Sequence, residues 1–306
     1  MPATAEHGIV PAHFAVKGMR RSGYRNPAYA ISSLIDNSLG AGASNIEVLC
    51  GEREIQLDYR PVRSIRKLAI LDDGNGMDPE TLRKALQFGN GPHFELEHQN
   101  GLAKFGVGLP NSSFSLCRRV DVWSWQDGVQ EALHTHLDLD AILDKEMSSV
   151  PYPTPKPVPE LWRRAGDTFD KSGTLVVWSN PDRLIWKSAR GFVRKSEGLL
   201  GRVYRRFLAD GRVQIRMHSF DLDAPEQRDG IDKYVEANDP LYLMEDTSCP
   251  FKEEPMFEQW GSTYEIPISR GGEEDEVRVT VSVAKEEARS MPQAGAKEHG
   301  RHAAKN

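Results

Sequence analysis

Residues 33–42 read Ser-Leu-Ile-Asp-Asn-Ser-Leu-Gly-Ala-Gly, and they close a segment with a helical apolar period. Ala30, Ile31, Leu34, Ile35 and Leu39 recur at three- and four-residue spacing, the pattern of one buried helix face. Asn26-Pro27 opens the segment as cap and first-turn proline. Gly40-Ala41-Gly42 ends it with a glycine-rich exit. On a helix lining a pocket, Asn37 could give its amide oxygen to Mg²⁺, a hard cation that takes oxygen ligands and shares them with phosphates. An Asp36-Asn37 pair near a helix end serves equally well to cap a turn, so the stretch needs partners elsewhere.

Two further motifs follow. Asn45–Cys50 alternates as a strand, with Ile46 and Val48 on one face. The apolar run Leu68–Leu71 then ends abruptly in Asp72-Asp73-Gly74-Asn75-Gly76-Met77. A carboxylate at the end of a buried strand can accept a hydrogen bond from an exocyclic amine, and Gly74 and Gly76 allow a tight turn and close approach to a flat ring. Alone, this motif fits a plain turn or a calcium loop as well. An EF-hand would need further oxygen ligands and a closing glutamate, which do not follow. The third motif is Gly101-Leu102-Ala103-Lys104-Phe105-Gly106-Val107-Gly108-Leu109, leading into Pro110-Asn111-Ser112-Ser113. Glycines at a helix start expose N–H groups where the helix dipole favours anions, and Lys104 adds a charge suited to a polyphosphate. It matches neither GxxxxGK[ST] nor GxGxxG. Alone, it would serve as a flexible hinge.

Taken together and in order, these motifs resemble those of the GHKL (Bergerat-fold) ATPase superfamily, closest to MutL-like and MORC-like ATPases. SLIDNSLGAGASNIEV is similar to the first family motif, LDDGNGMD to the second, KFGVGL to the third and SGTLVVW (172–178) to the fourth. The resemblance covers roughly residues 10–220. It implies ATP and Mg²⁺ as cofactors, with Asn37 as magnesium ligand and Asp72 as the adenine-reading carboxylate. Ala41 and Met77 would line the base pocket with Gly74 and Gly76. Gly101 and Lys104, Phe105, Gly106, Val107, Gly108 and Leu109 would wrap the phosphates from a lid spanning about 78–108. Thr174 would close the adenine side. It further implies an α/β sandwich holding the nucleotide between sheet and helices, and an ATP-dependent homodimer formed through the amino-terminal arm. Histidine kinases share the fold, but no helical hairpin with a phospho-accepting histidine precedes the motifs.

One departure bears on chemistry. Hydrolytic relatives carry a glutamate four residues before the magnesium asparagine, on the same helix face; here that position is Ser33. A hydroxyl is no general base near neutral pH, where a positioned carboxylate contributes on the order of 10²–10⁴-fold. The family is an ATPase family, but the residues predict binding with weak hydrolysis, or a non-hydrolysing nucleotide-binding scaffold. A DNA-associated repair or defence subunit is a further alternative.

The fold expected is α+β: a mixed sheet covered by helices on one side. Residues 1–15 are predicted to form an arm, 16–222 the nucleotide-binding domain and 223–306 an incomplete second, transducer-like region. The abrupt end reads as that of a fragment, with Lys305 as a candidate to reach the γ-phosphate or, alternatively, part of a solvated tail. Arg119–Trp125, Glu131–Leu139, Thr174–Ser179 and Val213–Met217 are expected strands. Lys187–Leu208 reads as one long helix. Pro151–Pro159, with five prolines in nine residues, reads as an extended surface loop. Val277, Val279, Val281 and Val283 would share one strand face. From Arg183 to Arg216 ten basic residues face two acids, a local +8. That is either a solvated helix or, through Arg202, Arg205 and Arg206, a DNA-facing surface. His134 and His136 are expected on the wet face of their strand, with no metal site beyond magnesium, while Trp123, Trp125 and Trp178 are expected in the core.

Bulk properties are those of an ordinary soluble protein: 306 residues, 39% hydrophobic, 27% charged and net −6. That balance gives no global signal for nucleic acid or membrane. No signal-peptide core or stretch of 18 apolar residues occurs, and Cys50, Cys117 and Cys249 form no CxxC pair. A reducing, cytoplasmic setting is expected.

Overall fold

The computed structural model describes residues 12–57, 60–88, 108–227, 230–241, 243–244, 257–270 and 273–286. In chain order the elements begin with α1 (Ala12–Ser22), α2 (Pro27–Gly40), β1 (Asn45–Leu57), β2 (Arg60–Asp72), α3 (Pro79–Ala85) and α4 (Gly108–Leu116). Next come β3 (Arg119–Trp125), β4 (Leu133–Asp138), α5 (Leu139–Leu143), β5 (Thr154–Pro155), α6 (Glu160–Ala165) and β6 (Gly173–Ser179). There follow α7 (Ala189–Val203), α8 (Arg205–Ala209), β7 (Gln214–Asp221), β8 (Asp232–Tyr234), β9 (Phe257–Gln259), β10 (Tyr264–Arg270), β11 (Glu273–Val279) and β12 (Ser282–Ala284). The chain divides into two units, residues 1–196 with 213–234 and residues 197–212 with 235–306.

The first unit is built on an eight-stranded sheet in the order β5-β4-β3-β6-β2-β1-β7-β8. β1 and β7 run parallel, and the other neighbours are antiparallel, so the sheet is mixed as expected for an α+β fold. The register aligns Asp72 with Ile46 on one side and Thr174 on the other, and Thr174 in turn with Ser124. Because side chains alternate along strands, Asp72, Thr174 and Ser124 stand on one sheet face beside Ile70, Val122 and Trp178.

That face carries α2 and α4. Asn26 caps α2, its Oδ1 accepting from Ala28 N at 3.0 Å and Tyr29 N at 3.3 Å. Small residues are buried on both helices: Ala28, Ala30 and Ser32 on α2, and Ser112, Ser113 and Ser115 on α4. The serine hydroxyls donate back to carbonyls of their own helices, Ser32 to Ala28 and Ser113 to Leu109. They are therefore buried with their polar groups satisfied. Trp178 Nε1 donates to Ser113 Oγ at 2.8 Å, tying α4 to the sheet. Arg20 of α1 donates to the carbonyls of Phe114 and Cys117, both at 3.0 Å, and so places a cation at the C-terminus of α4.

The opposite face is also covered. Leu49, Leu71, Trp123, Trp125, Leu175 and Val177 pack under Val158, Trp162 and Ala165, so α6 and the chain leading into it form a second roof. The Trp162 ring meets Phe220 edge-on at 5.7 Å. Towards β7 this face turns ionic. Buried Arg216 lies 2.9 Å from buried Glu47 and 2.8 Å from Asp167, and makes a fork of 2.6 and 2.7 Å on Asp232.

Several expectations change. His134 is not on a wet face: it is buried, 2.9 Å from Asp121 Oδ1 and against the Trp123 ring, because the second roof shields that face. His136 is half-buried. Trp123, Trp125 and Trp178 are core residues as expected, as are Cys50 and Cys117; Cys249 lies outside the described residues. The prolines of 151–159 give little regular structure, yet Pro153 and Val158 are buried. The long helix breaks at Tyr204, whose φ of −99° and ψ of 11° leave the helical region while its ring is buried. The valine strand also divides: Val277 and Val279 belong to β11, whereas Val283 pairs with Glu258 in β12–β9.

In the second unit, Gly201 accepts a hydrogen bond from Asn238 N at 3.1 Å. A Cβ at Gly201 would lie 2.3 Å from Glu236 O, so only glycine allows that approach. The hairpin β10–β11 pairs Tyr264 with Val279 and Ile266 with Val277, with these apolar side chains exposed.

Replacing Trp162 by alanine should lower stability by about 3–5 kcal/mol, since it empties the centre of the second core. Urea denaturation measures this, and a loss below about 1 kcal/mol would show that the roof contributes little packing.

Candidate functional site

Asp72 ends β2 and is 5% exposed. Its Oδ2 accepts from Ser38 Oγ at 2.7 Å, and its Oδ1 accepts from Gly74 N at 3.0 Å. Burial raises its pKa to about 6, with a smaller push from Asp73 and opposition from the hydrogen bonds of Ser38, Gly74 and Thr174. A carboxylate has about four acceptor positions, so the group retains capacity for an outside donor.

The neighbouring Asp73 does a different job. Its Oδ1 accepts from Ser44 N and Asn45 N, both at 2.8 Å, and its Oδ2 from Asn45 Nδ2 at 2.7 Å. It staples the loop to the start of β1. Asn75 N donates to Ala41 O at 2.9 Å, which joins the same loop to the end of α2. A Cβ at Gly74 would lie 2.9 Å from Ala41 Cβ and 3.1 Å from Ala41 O, so this glycine is demanded by proximity. Gly76 has φ +65°, and a Cβ there would lie 2.0 Å from Trp125 O. Its constraint is therefore the fold itself.

Thr174 and Ser124 supply a hydroxyl pair beside Asp72. Their oxygens are 3.0 Å apart; Ser124 Oγ also donates to Gly173 O at 3.1 Å and accepts from Met77 N at 2.9 Å. Met77, half-buried, is thereby anchored to the sheet.

The helix side completes the arrangement. Ser33 and Asn37 lie one turn apart on α2, and both face the first residue of α4. A Cβ at Gly108 would lie 2.9 Å from Ser33 Oγ and 4.0 Å from both Asn37 side-chain termini. The first N–H groups of α4, for which the helix itself provides no acceptor, therefore lie beside Asn37. Leu109 is buried and its carbonyl accepts from Ser112 and Ser113.

Ser33, Asn37 and Gly108 thus form one group. Ala41, Asp72 and Gly74 form a second, linked to the first through Ser38 beside Asn37; Met77, Ser124 and Thr174 form the third. Gly101, Lys104, Phe105, Gly106, Val107 and Lys305 lie outside the described residues. Two residues escaped the sequence reading. Ser38 looked like ordinary helix-end polarity. Ser124 could have been found, since in Trp123-Ser124-Trp125 the alternation points it away from both indoles. Of the basic cluster, Arg206 is exposed, while Arg205 donates to Arg202 O at 2.9 Å and lies 3.8 Å from Asp239. Two hollows of about 320 and 340 Å³, beside α3 and at the start of α2, are lined by none of Asn37, Asp72 or Gly108. Among the described residues no helix is long and apolar enough to cross a membrane.

Comparison with known proteins finds similarity over a stretch that includes Asn37, Asp72 and Gly108. Residues 24–172 match the family described as histidine kinase-, DNA gyrase B- and HSP90-like ATPases. A 107-residue stretch is 28% identical to the ATPase morc-1 of Caenorhabditis elegans, covering 35% of this chain and 11% of that protein.

Asp72 also makes a pH prediction. Its folded pKa of about 6 exceeds the ordinary 3.8, so the folded state holds a proton that the unfolded chain has lost. Its contribution to stability is then complete below about pH 4 and is lost as pH rises through about 6. Relative to Asp72→Asn, the wild type should lose up to about 3 kcal/mol between those limits. Denaturant titrations at pH 4 and pH 7 measure the difference; a pH-independent gap would contradict the burial of this carboxyl.

Proposed function

We propose that the chain is the ATP-binding module of a nucleotide-gated dimerisation switch, related in kind to MORC-like ATPases; the match of residues 24–172 to the histidine kinase-, DNA gyrase B- and HSP90-like ATPases supports this reading. The observation that carries this reading is the meeting of Asn37, the start of α4 and the Asp72 loop around one helix end.

In this reading Asp72 accepts a hydrogen bond from the adenine amine, and Thr174 and Ser124 present hydroxyls at the same edge of the base. Gly74 and Met77 border the ring. The N–H groups at the start of α4 face the phosphates, assisted by residues 101–107. Asn37 offers one amide oxygen, a donor suited to Mg²⁺, which takes its remaining ligands from phosphates and water and would neutralise phosphate charge when bound. Closure of the phosphate loop and pairing of two copies follow if nucleotide favours the closed dimer over the open monomer.

Hydrolysis is expected to be weak. Ser33 occupies the position from which a carboxylate would address the attacking water, and its oxygen lies near Gly108. A hydroxyl there can align water but cannot take its proton near neutral pH. The same serine favours a second reading, in which nucleotide is a tightly held structural cofactor with no turnover.

Binding of a non-hydrolysable ATP analogue should weaken by about 10–100-fold in Asp72→Asn, read by calorimetry. Ser33→Glu should raise steady-state ATP turnover by about 10²-fold or more; wild-type turnover equal to that variant would overturn the assignment of Ser33. Analogue-dependent dimers in analytical ultracentrifugation would support the switch, while a monomer that retains nucleotide without exchange would favour the scaffold.

A further inference from the structure

The reverse face of β3 holds a cluster that the nucleotide site does not use. Asp121 on β3 is opposite His136 on β4, and His134 stands two residues along the same face. We propose that Asp121, His134 and His136 bind a divalent transition-metal ion of the Zn²⁺ class.

Geometry carries the assignment. One ligand atom from each of the three residues lies within 4.8 Å of the others, and His134 Nε2 is 2.9 Å from Asp121 Oδ1. A tetrahedral ion with bonds of about 2.0–2.2 Å needs ligand atoms roughly 3.3–3.6 Å apart. The ligand atoms therefore stand within about 1.5 Å of the separation that such an ion requires. The two imidazoles already lie nearly parallel, 13° between planes and 5.7 Å between centroids, as the alternation of a strand requires.

Chemistry sets the class of ion. Two imidazoles with one carboxylate suit Zn²⁺ and its neighbours, whereas Mg²⁺ and Ca²⁺ select all-oxygen sites. Arg119 donates to Asp121 Oδ2 at 2.8 Å and Oδ1 at 3.0 Å, fixing the carboxylate plane as an outer partner of a metal ligand does. Arg119 is itself 3.3 Å from Asp138, which offsets its charge beside the site. The nearby Lys156 is turned over the Trp123 ring, 5.6 Å from its centroid. Trp123 packs against His134 and holds its ring in place. Asp121 and His134 are buried while His136 is half-buried. The open side lies at His136, where water or an outside ligand can complete the coordination.

The test uses the full chain, free of chelator and of any added histidine tag. Zn²⁺ is titrated by calorimetry, and Co²⁺ by its visible absorption, which reports four-coordinate nitrogen and oxygen ligation. Wild type should bind one equivalent of Zn²⁺ with micromolar or tighter affinity. His136→Gln changes a half-buried residue and should weaken that equivalent at least about 10-fold, with loss of the cobalt spectrum. His134→Gln/His136→Gln should abolish it, while the other seven of nine histidines remain as the background control. Should the double variant fail to fold by circular dichroism, His136→Gln alone decides. An unchanged Zn²⁺ isotherm in that variant, or no saturable binding by wild type, would overturn the proposal and leave Asp121–His134 as a structural pair.

Discussion

The hydrogen bond from Ser38 to Asp72 joins the carboxy-terminal turn of α2 to the end of β2, and the arrangement of the site depends on it. It brings a helix and a strand together at the one point where both carry motif residues. A carboxyl group in that position is withdrawn from water, and burial alone would penalise its charge severely. The Ser38 hydroxyl and the Gly74 amide partly compensate. What remains is a group whose pKa of about 6 is poised between its two forms. Such a group gains from an additional donor.

Close approach around that bond depends on small residues. Gly74 lets the loop lie on Ala41, and Gly108 lets the start of α4 lie on Ser33. Buried alanines and serines keep both helices slim, with hydroxyls turned back to helical carbonyls. A larger side chain at Gly108 would push the start of α4 away from Ser33 and Asn37, and one at Gly74 would push the loop away from Ala41. The packing of helices thus brings the polar groups together, and the Ser38–Asp72 and Trp178–Ser113 hydrogen bonds fasten the helices to the sheet.

The sheet works on both faces. One side presents Asp72, Thr174 and Ser124 to the helices; the other carries the tryptophan core and the charged group around Arg216. Arg216 has three carboxylate neighbours, Glu47, Asp167 and Asp232. Glu47 also accepts from Asp167 N at 2.9 Å, so this group ties down the chain that leads towards β6 and Thr174. Burial of such charges is tolerable because each has a partner of opposite sign.

Much of this was legible in the sequence, because the controlling interactions are local. Helical spacing of apolar residues and the Asn26-Pro27 start located α2, and Trp123, Trp125 and Trp178 were expected in the core, where they lie. The Asp-Asp-Gly-Asn-Gly loop and the glycine-rich helix start announced themselves by composition. What a linear chain cannot encode visibly is which of two adjacent aspartates turns inward, which serine meets it, and what lies over the far sheet face. Those outcomes follow from contacts between residues far apart in sequence. Ser38 of α2 reaches Asp72 at the end of β2, His134 is buried between Asp121 and the Trp123 ring, and the buried Tyr204 stands where the helix breaks. Local propensity is a property of neighbours along the chain; burial is decided only when distant segments meet, and burial set the protonation, pairing and exposure of the groups that matter here.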